Sequence, residues 1–262
     1  LKMNPTLIQA LQLAIAAQLS SFITKDKTRF QGPPVVLIGT SGIGKTAAIG
    51  ALARGLGKNF IGFETAGKRA EDLVGYPYPD LEKGWMDFLP SRQVVEALKA
   101  GEGKTIMFFD EICDVSRSTQ KACHSVFCGH KFGDIQGPIH MALVGAGNPP
   151  DISTTGGSLS LAMKMRVCQL EAKCDPITFA QGLRNGFPSA DIISIPNNWT
   201  ELIPTKNSLV ASFIEARPEL AETQADQDHL PSASPRQWTH VAVYNAICEA
   251  SGMLGCRSIL LE

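Results

Sequence analysis

The chain has 262 residues, of which 44% are hydrophobic and 19% charged, so it can bury a sizeable core and belongs with globular rather than disordered chains. Lys and Arg total 24 against 25 Asp and Glu, a balance that weighs against a general nucleic-acid binder. No apolar run approaches the roughly 18 residues of a membrane span.

Leu1–Thr24 is apolar but interrupted by Gln9, Gln12 and Gln18; it reads as an amphipathic helix and lacks the layout of a signal peptide. Short apolar runs then predict strands at Val35–Gly39, Phe60–Phe63, Thr105–Asp110, Met141–Gly147 and Arg166–Glu171. Helical patterns separate them at Lys45–Leu56, Gln93–Ala100 and Thr119–Phe127. Such alternation predicts an α/β fold, a parallel sheet flanked by helices, with ligands beyond the carboxyl ends of the strands. Between Glu71 and Pro90, Tyr76, Tyr78, Trp85 and Phe88 lie among Pro and Gly. They are expected to cover the core; the alternative is a surface loop or hairpin that meets a client. Asn185–Pro204 reads as a connector, Lys206–Ala216 and Arg236–Ala250 as helices, and Ala221–Ser234 as a polar loop. The chain therefore divides into a nucleotide-binding α/β domain, 1–184, with its N-terminal helix over 5–24, and a connector with a small all-helical domain, 185–262.

Seven cysteines occur: Cys113, Cys123, Cys128, Cys168, Cys174, Cys248 and Cys256. No C-x-x-C is present. His124 and His130 near Cys123 and Cys128 raise a metal cluster as an alternative, but the spacing fits no zinc template. The cysteines are read as structural or incidental thiols of a protein in the reducing cytoplasm.

Gly39-Thr40-Ser41-Gly42-Ile43-Gly44-Lys45-Thr46 fits G-x-x-x-x-G-K-[ST] at every fixed position, between a predicted strand and a predicted helix. Successive N–H groups of such a loop form an anion nest, and the helix adds its positive end. Lys45 should reach the β and γ phosphates of ATP, and the Thr46 hydroxyl should sit on Mg²⁺. Ile106-Met107-Phe108-Phe109 is an apolar strand that ends in Asp110 and Glu111. Asp110 can hold Mg²⁺ through water, and Glu111 can polarise an attacking water. Asn148, closing the fourth strand, can orient that water or simply make a turn before Pro149.

Taken in order, the P-loop, Phe108-Phe109-Asp110-Glu111, Gly147-Asn148-Pro149, Arg166 and Ser234-Pro235-Arg236 resemble an AAA+ ATPase. Glu71-Asp72-Leu73-Val74-Gly75, Ala216-Arg217-Pro218-Glu219-Leu220 and Ser234-Pro235-Arg236-Gln237-Trp238 look like its MoxR-like branch. The resemblance covers nearly the whole chain. It implies that the helical domain is a lid, that Asn148 is the first sensor and that Arg236 is the second, touching nucleotide of its own subunit. It makes Arg166 an arginine finger for the neighbouring subunit, with Arg117 and Arg184 as alternatives. A ring, usually a hexamer, would hydrolyse ATP to remodel a protein client, in many members with a partner carrying a von Willebrand factor A domain. The alternative function is a nucleotide-dependent assembly switch with slow turnover; a nucleic-acid motor fits the charge balance less well.

Overall fold

The computed structural model describes residues 3–23, 27, 29–153, 157–186, 191–223 and 233–261. Helix α1 (Pro5–Leu19) opens the chain, followed by a short hairpin of β1 (Ser21–Ile23) and β2 (Arg29–Gln31). Next come β3 (Val35–Ile38), α2 (Lys45–Gly55), β4 (Asn59–Glu64) and the single-turn α3 (Glu71–Val74). A second hairpin, β5 (Tyr76–Asp80) and β6 (Trp85–Leu89), leads to α4 (Arg92–Ala100), β7 (Thr105–Asp110) and α5 (Arg117–Gly129). A two-residue hairpin, β8 (Lys131–Phe132) and β9 (Ile135–Gln136), precedes β10 (Ala142–Gly147). The chain continues through α6 (Leu161–Lys164), β11 (Cys168–Glu171), α7 (Pro176–Asn185), α8 (Ile203–Ala216), α9 (Pro235–Ala250) and α10 (Arg257–Leu261).

The five strands expected from the sequence form one parallel sheet in the order β11-β3-β10-β7-β4. Parallel pairing forces each connection back across a face, so helices cover both sides and the inner strands read as continuous apolar runs. Along β7 the faces alternate. Ile106 and Phe108 join a core with α1, α2 and α9, whereas Met107 and Phe109 join a second core with α4 and α5. Phe108 and Phe109 are about 1% and 0% exposed, a burial worth ~1.5–3 kcal/mol each. Only Asp110, at the carboxyl end of β7, escapes full burial. Every connection from a strand's carboxyl end therefore starts at one rim of the sheet, and that rim carries the candidate site.

Two expectations change. The glutamines of α1 are not a polar face: Gln12 and Gln18 are buried. Gln12 both donates to Ile193 O (2.9 Å) and accepts from Ile193 N (3.0 Å), tying α1 to the connector. Gln18 Oε1 accepts from Leu143 N at 2.8 Å, on β10. An amide can satisfy backbone groups that an apolar side chain would leave orphaned, so these residues sit inside. The second change is the aromatic segment. Tyr76, Tyr78, Trp85 and Met86 stand on the β5–β6 hairpin with 52%, 42%, 60% and 55% of their surface exposed, rather than covering the core; Phe88 is half-buried. The two strands pair only with each other among the described residues, so no third strand adds a sheltering face.

Beyond residue 184 the connector is shorter than its composition suggests. Trp199, 3% exposed, anchors a 3-10 turn and α8 begins at Ile203. Most of the polar loop expected at Ala221–Ser234 lies outside the described residues. Helix α9 starts with Ser234 as N-cap and Pro235 at its first turn, both standard helix-opening chemistry. Its Val243, Tyr244, Ala246, Ile247 and Cys248 enter the same core as α1 and α2, so packing is continuous across the 184/185 boundary.

Candidate nucleotide site

The loop after β3 is shaped by what it cannot carry. A Cβ on Gly39 would lie 2.2 Å from Ala172 O, so only glycine fits between β3 and the chain leaving β11. Gly39 N donates to Gly147 O at 3.1 Å, pinning the loop to the end of β10. Gly42 and Gly44 take φ of +78° and +91°, left-handed values that turn the chain back toward the rim. Helix α2 then begins at Lys45 with no side-chain cap. The orphan N–H groups of its first turn, with the positive end of the helix dipole, are left to the loop.

Lys45 is 8% exposed. Its ammonium donates to Gly39 O, to Thr40 O at 3.0 Å and to Asn148 Oδ1 at 3.4 Å. Burial lowers its pKa, and the charges of Asp110 and Glu111 oppose that shift. Thr46 Oγ1 donates to Asp110 Oδ2 at 2.7 Å. The other carboxylate oxygen accepts from Glu111 N at 3.0 Å. The main-chain oxygen of Asp110 accepts from both the hydroxyl and the N–H of Thr65, which fixes the end of β7 against the chain leaving β4. Glu111 follows with φ of +56°, unusual for a residue with a Cβ and a strain of order 1–3 kcal/mol. Ile112 N then bonds Ala146 O at 2.9 Å, so the bend is held from both sides while the Glu111 side chain stays exposed.

Cys113 packs under the end of β10: a Cβ on Gly147 would approach its Sγ to 2.3 Å. Burial pushes the Cys113 thiol up to about 11, so it is an apolar filler rather than a thiolate. Thr65 and Cys113 thus position the site without having been singled out in the sequence. Their neighbours come from other strands, and nothing local marks them.

The structure brings Lys45, Thr46, Asp110, Glu111 and Asn148 to one rim, at the ends of β3, β7 and β10. A threonine hydroxyl beside a carboxylate is a hard-oxygen pair of the kind Mg²⁺ takes. The glycine loop, the uncapped helix start and Lys45 together suit phosphates.

The arginines lie elsewhere. Arg166 sits in the turn before β11, its Nη1 donating to Ala162 O at 2.9 Å. Cys168 is in register with Val35, so Arg166 is at the rim where β3 begins. Gly39 is four residues further along, roughly 13 Å at ~3.3 Å per residue. Arg236 is exposed in the first turn of α9. Its charge acts on His124, Cys128 and His240, and that of Arg166 acts on the same His124 and Cys128. Burial, then Arg236, holds His240 down to about 4; burial, then Arg166 and Arg236, lowers His124. Arg117 and Arg184 are exposed at the start of α5 and near the end of α7.

Residues 35–127, from β3 through most of α5, match the family model of the ATPases associated with various cellular activities, AAA. This segment is similar to an AAA domain. The fold is that of the AAA+ P-loop NTPases. A crystal structure of a provisionally assigned ATPase from Cytophaga hutchinsonii ATCC 33406 aligns over 94% of this chain and 73% of its own, with a TM-score of 0.52 and 15% identity. Among curated proteins, the Lon protease of Citrifermentans bemidjiense is 30% identical over 87 residues, 33% of this chain and 10% of the protease. The Lon protease of Rickettsia bellii is 28% identical over 91 residues, 34% of this chain and 11% of the protease. The matched part thus spans about a tenth of the length of these curated relatives. Among the described residues no helix is long and apolar enough to cross a membrane, and the seven cysteines are free.

Proposed function

We propose that this AAA+ chain binds ATP with Mg²⁺ at Gly39–Thr46, hydrolyses it, and acts as a MoxR-like ring that remodels a partner protein. The observation that carries the reading is the convergence of Lys45, Thr46, Asp110, Glu111 and Asn148 on one rim of the sheet. In this reading Lys45 and the loop N–H groups bind the β and γ phosphates. Thr46 and Asp110 would hold Mg²⁺, which when bound neutralises phosphate charge. Asn148, already within hydrogen-bond reach of Lys45, orients the attacking water. Glu111 accepts that water's proton as its oxygen bonds to the γ phosphorus and the bond to the β–γ bridging oxygen breaks. Its exposed side chain on a braced backbone suits a base that must meet solvent. Arg166, at the far rim, serves a neighbouring copy.

A remodelling role is supported by the β5–β6 hairpin, whose Tyr76, Tyr78, Leu81, Trp85 and Met86 are exposed apolar side chains suited to a protein client. Partners with a von Willebrand factor A domain fit the same reading. The test is phosphate release by assembled wild type and Glu111→Gln, alongside Mg-ATP affinity. Retained affinity with release reduced at least about 10²-fold supports hydrolysis with Glu111 as base. Wild type that binds Mg-ATP, assembles and releases no phosphate is an assembly switch instead.

A further inference from the structure

We propose that the open edge of β11 receives an extended, acidic segment of a partner protein as an added strand. The proposal stands apart from the ATPase reading, because it uses neither the P-loop nor Asp110 and Glu111.

The backbone comes first. Strand β11 has β3 on one side and no strand on the other among the described residues. Cys168 N donates to Pro34 O at 2.8 Å and Ala172 N to Ile38 O at 2.7 Å, so the even-numbered residues turn their N–H and C=O groups toward β3. Backbone direction alternates along a parallel strand. The N–H and C=O of Gln169 and Glu171 therefore point the other way, and they have no backbone partner among the described residues. No proline and no bulge interrupts Cys168-Gln169-Leu170-Glu171. The edge offers the alternating donors and acceptors by which a further strand adds.

The walls beside that edge differ in kind. A cavity of about 2050 Å³ follows β11 from Val167 to Glu171 and reaches both faces of the sheet. On the face of α5 and α6 it is lined by Arg117, Lys121 and Lys164, none of which makes an ion pair among the described residues. Gln120 holds α6 beside α5, donating to Ser158 O at 3.0 Å and accepting from Ser160 N at 3.1 Å. The carboxylates lining the cavity already have partners: Asp114 accepts from Ser153 Oγ, and Glu171 pairs with Lys173 at 2.9 Å. On the face of α9 and α10 the lining is mostly apolar, with Trp238, Val241 and Leu261.

Side chains of an added strand alternate between the two faces. Carboxylates at one set of alternate positions would meet the free cations, and apolar side chains at the other set would meet α9 and α10. That match names the partner's chemistry: an extended segment in which acidic and apolar residues alternate. The cavity exceeds the ~300–1,000 Å³ of small-molecule sites, so it suits a stretch of polypeptide. A second copy of this chain does not supply the match, because none of its described strands carries more than one carboxylate.

The test uses the full chain and a fluorescein-labelled peptide of alternating Glu and Val, about six residues long, the usual length of a strand. Fluorescence anisotropy should give a Kd below about 1 mM, and at least about tenfold weaker binding when Lys replaces Glu. Backbone N-methylation separates strand addition from charge attraction. Only one alternate set of the peptide's N–H groups faces β11, so methylating that set should abolish binding and methylating the other should leave it. Hydrogen exchange should show the amides of Gln169 and Glu171 slowed by the peptide, with Leu170 unchanged. Gln169→Pro removes an N–H that β3 does not use and should weaken binding at least about tenfold with the fold intact. Should that variant melt early, Lys121→Glu combined with Lys164→Glu takes its place and should reverse the preference between the Glu and Lys peptides. No binding of the Glu peptide, or binding that neither set of N-methyl groups disturbs, would overturn the proposal. So would slowed exchange at Gln169 and Glu171 that grows with protein concentration without peptide, because the edge would then be a contact between copies.

Discussion

The two rims of the sheet solve opposite electrostatic problems. At the carboxyl rim the polar groups satisfy one another within the chain: Lys45 on two carbonyls and Asn148, Thr46 on Asp110, Asp110 on Glu111 N. At the opposite rim Arg166 and Arg236 share the neighbourhood of His124 and carry their charge without an ion pair among the described residues. A cradle that closes on itself can be built by one chain from local motifs. A pair of like charges is stable only where solvent or an anion meets it.

The largest expected effect breaks the first rim. Lys45→Ala removes the cation that the loop is folded around, and Mg-ATP affinity measured by calorimetry should fall below detection; undiminished affinity would mean that the phosphates do not use this loop. Arg166→Ala tests the second rim. It should leave affinity intact while turnover in assembled protein drops by ~10³-fold or more, the scale of a cation supplied from a neighbour. Turnover per subunit that does not depend on protein concentration would show that no neighbour is needed. Glu111→Gln separates binding from chemistry within the first rim, with a loss of at least about 10²-fold in single-turnover phosphate release and no loss of affinity.

Smaller effects sharpen the comparison. Gly147→Ala drives a methyl to 2.3 Å from Cys113 Sγ, overpacking beneath the first rim, and should cost ~1–3 kcal/mol in denaturant melts. Pairing it with Cys113→Ala, which removes the clashing sulfur, should return part of that loss. The smallest effect is at the second rim. His240 has its pKa lowered from 6.5 to about 4, by burial and then by Arg236. Between about 4 and 6.5 the unfolded chain binds a proton that the folded chain refuses. Stability should therefore fall as pH drops through that window and level off below it. In His240→Gln the slope over this window should shrink, and in Arg236→Ala it should shrink less, because burial is the larger cause. Equal slopes in all three proteins would show that His240 stays neutral in neither state's favour.

Much was legible before folding. The P-loop, the strand ending in Asp110 and Glu111, and the five parallel strands were marked because each is a local pattern, an apolar run followed by glycines or carboxylates. The helical ends at Gly55, Gly129 and Ala250 fall within a few residues of expectation for the same reason. The glutamines of α1 were misjudged because a Gln facing a backbone amide and a Gln facing water look identical in a periodicity. Tyr76, Tyr78 and Trp85 of the β5–β6 hairpin were misjudged because burial depends on what covers a strand pair, which no local pattern states.

The sequence by itself therefore determined the groups of the carboxyl rim: glycine loop, hydroxyl, carboxylates and amide, each fixed by residues adjacent in the chain. Only the tertiary structure decided which residues stand behind that chemistry and where the arginines face. Thr65 reaches Asp110 because β4 pairs with β7, and Cys113 lies under Gly147 because the chain leaving β7 crosses the end of β10. Arg236 stands where it does because α9 packs onto α8, α1 and β2 and sends its later residues into the first core. Local patterns fix what a segment is made of, whereas packing free energy, summed over two cores, fixes which segments meet.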